Sequence, residues 1–194
     1  MLNFDELNIL EIRARQTPLI GLTKEEVEDW VFDYIVEFIY LAEASVIDDL
    51  GGIKTHLTSS QLRELVDAEI DGKTYIDRIA EYIPALQDKS NPEAAYLAEK
   101  AIQTIAITEA HRVANGVIYE VGKANRARFK RWCSMQDDRV RDTHQYLDGT
   151  IVPITADFYS YTGSHGPYPG SFHDPAEDIN CRCYIRLSTF KNKV

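Results

Sequence analysis

Cysteine is scarce: three in 194 residues, Cys133, Cys181 and Cys183. So few, and an odd number, argue against a disulfide framework and for free thiols or a metal site. No run comes near the roughly eighteen uninterrupted apolar residues of a membrane-spanning helix. The opening MLNFDELNIL has neither a basic leader nor a small-residue cleavage site, so a soluble intracellular protein with no membrane partner is expected. No internal repeat is visible. A Gly-rich phosphate loop, a metal-binding carboxylate motif and a nucleophile elbow are all missing, which removes the common nucleotide-hydrolysing and serine-hydrolase classes.

Positive charge is also in short supply, and unevenly so. Residues 1–100 hold nine Lys+Arg against twenty-one Asp+Glu, whereas residues 101–194 hold twelve against ten. The acidic half cannot offer a broad phosphate-binding surface. Any contact with nucleic acid is therefore assigned to the second half, where Lys123, Arg126, Arg128, Lys130 and Arg131 cluster. The competing reading of that cluster is a solvated helix end that complements the helix dipole.

Hydrophobic residues make up 44% of the chain, enough for one sizeable core or for a helical region plus one small mixed module. Thr23-Lys24-Glu25-Glu26 fits a capping box, and Val27, Trp30, Val31, Tyr34, Ile35, Phe38, Leu41 and Ala42 step at three and four residues. The spacing predicts an amphipathic helix of about twenty-five residues that stops at Gly51-Gly52. A shorter helix, capped by Ser59 or Ser60, is expected to end near Gly72. Another starts near Thr74 and is broken or kinked by Pro84. Asn91 as cap and Pro92 in the first turn then open the longest helix, reaching about Phe129. Beyond it the helical period is lost. Short strands are expected at Ile151–Ile154 and Cys183–Leu187, with Asp148-Gly149 as a hairpin turn between strands and Gly163 to Gly170 irregular. The fold class is α+β: an acidic helical region over 1–90, then a module over 91–194 in which the long helix leads into short strands and ordered loops.

Four pieces of the second half stand out together. They are Thr108-Glu109-Ala110-His111-Arg112 with Asn115; Trp132 followed by Asp137, Arg139, Arg141, His144 and Asp148-Gly149; the Pro-Gly loop at Pro169-Gly170; and Asn180-Cys181-Arg182-Cys183. In this order and spacing, over about residues 100–187, they resemble the minor head proteins typified by the F protein of phage Mu. The resemblance implies a non-enzymatic phage or prophage head-morphogenesis protein. It would associate with the portal or other capsid proteins, assist head assembly or DNA packaging and ejection, and reside in the virion and, during assembly, in the host cytoplasm. The first hundred residues match no pattern of this kind, and self-association is left open.

On the residues themselves, Glu109, Arg112, Asp137, Arg139, Arg141 and Asp142 are suited to bidentate ion pairs that lock a small module. Trp132 reads as a core anchor, and Asn180 as a side chain that satisfies nearby backbone groups. Cys181 and Cys183 share a face if extended, so they are either small buried hydrophobes, the favoured reading, or two ligands of a zinc ion completed from His144, His173 and Cys133. Two alternatives to the head-protein reading follow. One is a nuclease-like or toxin-like enzyme with His144, Glu109, Arg141 and His173 as its acid/base set. The other is a zinc-stabilised interaction module.

Overall fold

The computed structural model describes residues 4–190, with side chains from Glu6 onward. Helix α1 (Phe4–Gln16) leads to α2 (Lys24–Leu50). The expected capping box starts α2: the Glu26 amide donates to Thr23 Oγ1 (3.2 Å) and the Thr23 amide to Glu26 Oε2 (2.8 Å). Gly51, at φ +75°, ends the helix in the left-handed conformation that glycine adopts without cost. The face formed by Val27, Val31, Ile35, Phe38, Ala42 and Val46 is fully buried, mainly against the long helix that follows later in the chain.

Helices α3 (Ser59–Val66), α4 (Tyr75–Ala80) and α5 (Ile83–Leu86) are short. Thr58, not Ser59 or Ser60, caps α3, because only it has a Gln three residues on to complete a capping box. That helix ends at Val66 rather than near Gly72. Ile70 and Lys73 exchange backbone hydrogen bonds across Asp71-Gly72, both at positive φ, and this tight turn replaces the last helical turn. Pro84 sits in the first turn of α5, where the lost amide has no helical partner to forfeit.

Helix α6 (Pro92–Ala124) is capped by Asn91 as expected, and its 33 residues span about 50 Å. It stops short of Phe129. Asn125 turns its side chain back onto Val121 O, and its amide group also binds the backbone of Lys54 and Thr55, fastening the loop after α2 to the end of α6. At the other end, buried Glu99 accepts the amides of Leu19 (2.7 Å) and Ile20 (3.2 Å), which fixes the α1–α2 connection.

The rest is a three-stranded antiparallel sheet in the order β2 (Ile151–Pro153), β1 (Phe129–Cys133), β5 (Tyr184–Ser188), with a two-stranded β3 (Phe158–Tyr159) and β4 (His165–Gly166). Helices α7 (Asp142–Leu147) and α8 (Pro175–Asp178) lie in the connections. Two expectations are corrected here. Asp148-Gly149 joins α7 to β2 rather than strand to strand, because a helix occupies the span between β1 and β2. The stretch Gly163–Gly170 is not wholly irregular, since His165–Gly166 pairs with Phe158–Tyr159.

Strand β5 lies on α6. At Gly122 a Cβ would meet Leu187 Cδ1 at 2.4 Å, so a larger residue there would force the Leu187 side chain to shift. Asp49, near the end of α2, accepts from Arg186 Nε (2.6 Å) and the Leu187 amide (2.8 Å). One continuous apolar core runs from Leu7 to Leu187, across the 90/91 division drawn on the sequence. Among the described residues no helix is long and apolar enough to cross a membrane.

Candidate functional site

The signature residues of α6 form a polar seam inside the core. Glu109 is completely buried and receives Arg112 Nε (2.8 Å), Arg112 Nη2 (2.7 Å) and Arg78 Nη2 (2.6 Å). Arg112 also donates to Val66 O (3.3 Å), so this one carboxylate ties α3, α4 and α6 together. Thr108 Oγ1 accepts the Asn180 amide (3.1 Å). Asn115 acts as a piece of strand edge, its Nδ2 donating to Cys183 O (2.9 Å) and its Oδ1 accepting the Ile185 amide (3.0 Å). His111 is buried against the Phe38 ring. Burial, helped by the charge of Arg182, pushes its pKa down to about 3, and it stays neutral.

A second ion-pair set closes the outer face. Arg182 grips Asp137 with both terminal nitrogens (2.8 and 2.6 Å) and holds its carboxyl below the usual carboxylate range. Arg139 bridges Asp137 (3.3 Å) and Glu11 (3.1 Å), bringing α1 to the C-terminal module. Arg141 spends its guanidinium on three carbonyls, Ala176, Glu177 and Ile179, at 2.5–2.6 Å. Asp148 accepts the Ser134 amide (2.7 Å), and Gly149, at φ +78°, sends its amide to Trp132 O (2.9 Å). Asn180 serves by conformation: it is exposed at φ +58°, a region asparagine tolerates, and it contributes its backbone amide rather than its side chain.

Between these sets lies the module's buried centre. Trp132 is fully buried and meets His144, Phe158 and Phe172 edge-on or tilted, with ring centroids 5.2–5.6 Å apart. His144 Nδ1 faces Cys181 Sγ and Cys183 Sγ, each at 3.5 Å. Its Nε2 lies 3.0 Å from Glu177 Oε2, although the N–H does not point along that line. Glu177 is itself fixed by the hydroxyls of Thr143 (2.8 Å) and Thr162 (2.9 Å). Burial opposes its ionisation, but those hydroxyls outweigh it and hold the carboxyl below its ordinary value. The Cys181 thiol is pulled well down by hydrogen bonding from Cys183, against its burial, while Cys183 is driven up by the same partner and by burial.

Of the five expected metal ligands, the structure brings together His144, Cys181 and Cys183. Cys133, on β1, has its sulfur 3.9 Å from Arg131 O, and burial raises its pKa to about 11; His173 is exposed. The expected acid/base set does not assemble either. Glu109 is held by two arginines, Arg141 is held by carbonyls, and His173 stands in solvent. The basic cluster also divides. Lys123 pairs with Glu120 (3.0 Å), Arg126 and Arg128 are exposed and Arg131 is half-buried, but Lys130 points into the core and cannot reach DNA. The sequence offered one missed signal: Glu177, in the first turn of a helix opened by Asp174-Pro175, is the carboxylate that His144 faces.

A family described as phage Mu protein F like protein matches residues 63–186. The minor head protein GP7 of Bacillus phage SPP1 is 37% identical over 85 residues, 41% of this chain and 27% of that protein. The NAD(+)--arginine ADP-ribosyltransferase EFV of Enterococcus faecalis (strain ATCC 700802 / V583) is 29% identical over 157 residues, 78% of this chain and 30% of that protein. The chain thus spans less than a third of the length of either relative, and no solved structure matches. With the match covering α6, all of the ion-pair residues except Glu11, and the His144 centre, the chain belongs to the phage Mu protein F like family.

Proposed function

We propose that this protein is a minor head component of a phage or prophage, acting in head morphogenesis by docking on the portal or on another inner capsid protein. The observation that carries the reading is the family match over residues 63–186, joined by the similarity to a protein named as a minor head protein. The geometry supports a non-enzymatic role. Its charged signature residues are paired with one another or with backbone, and its central histidine is enclosed by two sulfurs and a carboxylate. The acidic α1 to α5 region supplies the docking surface, and the compact module is what it presents. An enzymatic reading draws on the relative named as an ADP-ribosyltransferase, but that name describes a protein of which this chain aligns with 30%.

The test is co-purification of the chain with the portal protein encoded by the same phage genome. A stoichiometric complex surviving gel filtration is expected, together with the chain's presence in purified virions. A chain that binds no capsid component and is missing from virions would sink the proposal.

A further inference from the structure

The centre of the module gathers three buried side chains of metal-binding type around one point. Two sulfurs face a single ring nitrogen, each at 3.5 Å, and all three donor atoms lie within 4.8 Å of one another. One nitrogen can share one proton with one of them, and the two thiols share a second proton between themselves, so hydrogen bonding links the three groups only as a chain. A metal ion among the three satisfies all of them at once. For zinc at 2.0–2.1 Å from nitrogen and 2.3 Å from sulfur, tetrahedral angles place the two donors about 3.6 Å apart, which matches the separation found.

The far side of the ring points the same way. The negative charge of Glu177, 3.0 Å from Nε2 though off the N–H line, favours the tautomer protonated there, which leaves the Nδ1 lone pair directed at the sulfurs. A carboxylate behind a histidine is the usual outer partner of a metal-bound imidazole, fixing its orientation and raising its basicity. Glu177 is held in turn by Thr143, Thr162 and, through its own carbonyl, Arg141. Two thiolates would balance the charge of a zinc ion, so the buried site needs no further anion. A cleft of about 10 Å³ beside Arg141 and Asn180 borders all three donors, room for about one water as a fourth ligand.

We propose that His144 Nδ1, Cys181 Sγ and Cys183 Sγ bind a zinc ion whose fourth position is a water in that cleft, with Glu177 as the positioning residue behind the histidine. The ion fastens the entry to β5 onto α7, where these distant segments meet through side chains of metal-binding type. The inference is independent of the docking role and survives if portal binding fails.

Elemental analysis of the full chain, purified without added chelator, should find about one zinc per chain. Replacing it with cobalt(II) should give the visible bands of a tetrahedral ion and a thiolate-to-cobalt charge-transfer band. Glu177→Gln keeps all three ligands and should retain the cobalt spectrum while weakening zinc by about 10–100-fold in a competition titration. His144→Ala and Cys181→Ser/Cys183→Ser should lose the metal; because either could unfold, the wild-type cobalt spectrum is decisive by itself. A metal-free wild-type chain whose cobalt spectrum is octahedral and lacks thiolate charge transfer overturns the proposal, as does zinc retained by a folded Cys181→Ser/Cys183→Ser chain.

Discussion

Lys130 offers the sharpest test of how this core is balanced. Its side chain is fully buried, with Nζ 4.6 Å from the Tyr119 ring centroid and 5.4 Å from that of Phe158, and with no hydrogen-bond partner among the described residues. Burial lowers its pKa from 10.5 to about 8, with Lys123 pushing the same way and Asp157 opposing. At about 1.36 kcal/mol per pH unit, holding the charged form inside costs about 3 kcal/mol at neutral pH. The two rings return about 1–2 kcal/mol through cation–π attraction. Lys130→Met keeps the volume and the ring contacts and removes the charge, so the variant should be more stable by about 1–2 kcal/mol, or about 2–8 °C in Tm for a chain of this size.

The pH dependence carries the sign. Below pH 8 both folded and unfolded chains hold the proton and the cost is fully present. Between about 8 and 10.5 the unfolded chain binds the proton and the folded one does not, so this group makes stability rise with pH. Urea unfolding of both proteins from pH 7 to 10.5, taken as a difference to cancel other groups, should show the advantage of Lys130→Met shrinking to zero or below. A variant less stable by more than about 1 kcal/mol at pH 7 would refute the reasoning and show that the ring contacts outweigh desolvation.

Glu109→Ala leaves two arginines facing an empty buried site and should cost about 3–5 kcal/mol in urea unfolding; a loss under 1 kcal/mol would show that Arg78 and Arg112 find water. Asn115→Ala strips partners from Cys183 O and the Ile185 amide, so a loss of about 2–4 kcal/mol is expected with faster exchange of the Ile185 amide, and unchanged exchange counts against the strand-edge role. Thr23→Ala removes one arm of the α2 capping box and should cost about 1 kcal/mol, read as a shift in denaturant midpoint at constant slope.

Local signals were the legible ones. Thr23 with Glu26, Asn91 with Pro92, and the three-and-four stepping through Phe38 each carry their structural meaning within a few residues, and α2 and the start of α6 follow from them. Helix α1 escaped notice because Glu11, Arg13 and Arg15 obscure the apolar period until Arg139 and Arg182 are seen to receive Glu11. Lys130 looked like a neighbour of Arg128 and Arg131, but strand alternation turns it inward, a distinction that needs the strand register. In the site, Cys181 and Cys183 share a face as the period of two requires. The choice of His144 over His173, and the presence of Glu177, depend on α7 and α8 folding back over β1, which no spacing encodes. Asp148-Gly149 shows the reverse case: the turn chemistry was right and the elements it joins were wrong.

The family match begins at residue 63, inside α3, and so leaves out α2, the helix whose Phe38 closes over His111 and whose Asp49 holds β5. A module cut to the matched residues would therefore open a long oily seam along α6 and leave the Leu187 amide of β5 without its Asp49 acceptor. Any relative that carries the matched segment beside a different neighbour must furnish a substitute wedge for that seam. Swapping what precedes residue 63 is thus a graft with a fixed footprint, and chimaeras that ignore the footprint should aggregate while those that reproduce it should remain monodisperse.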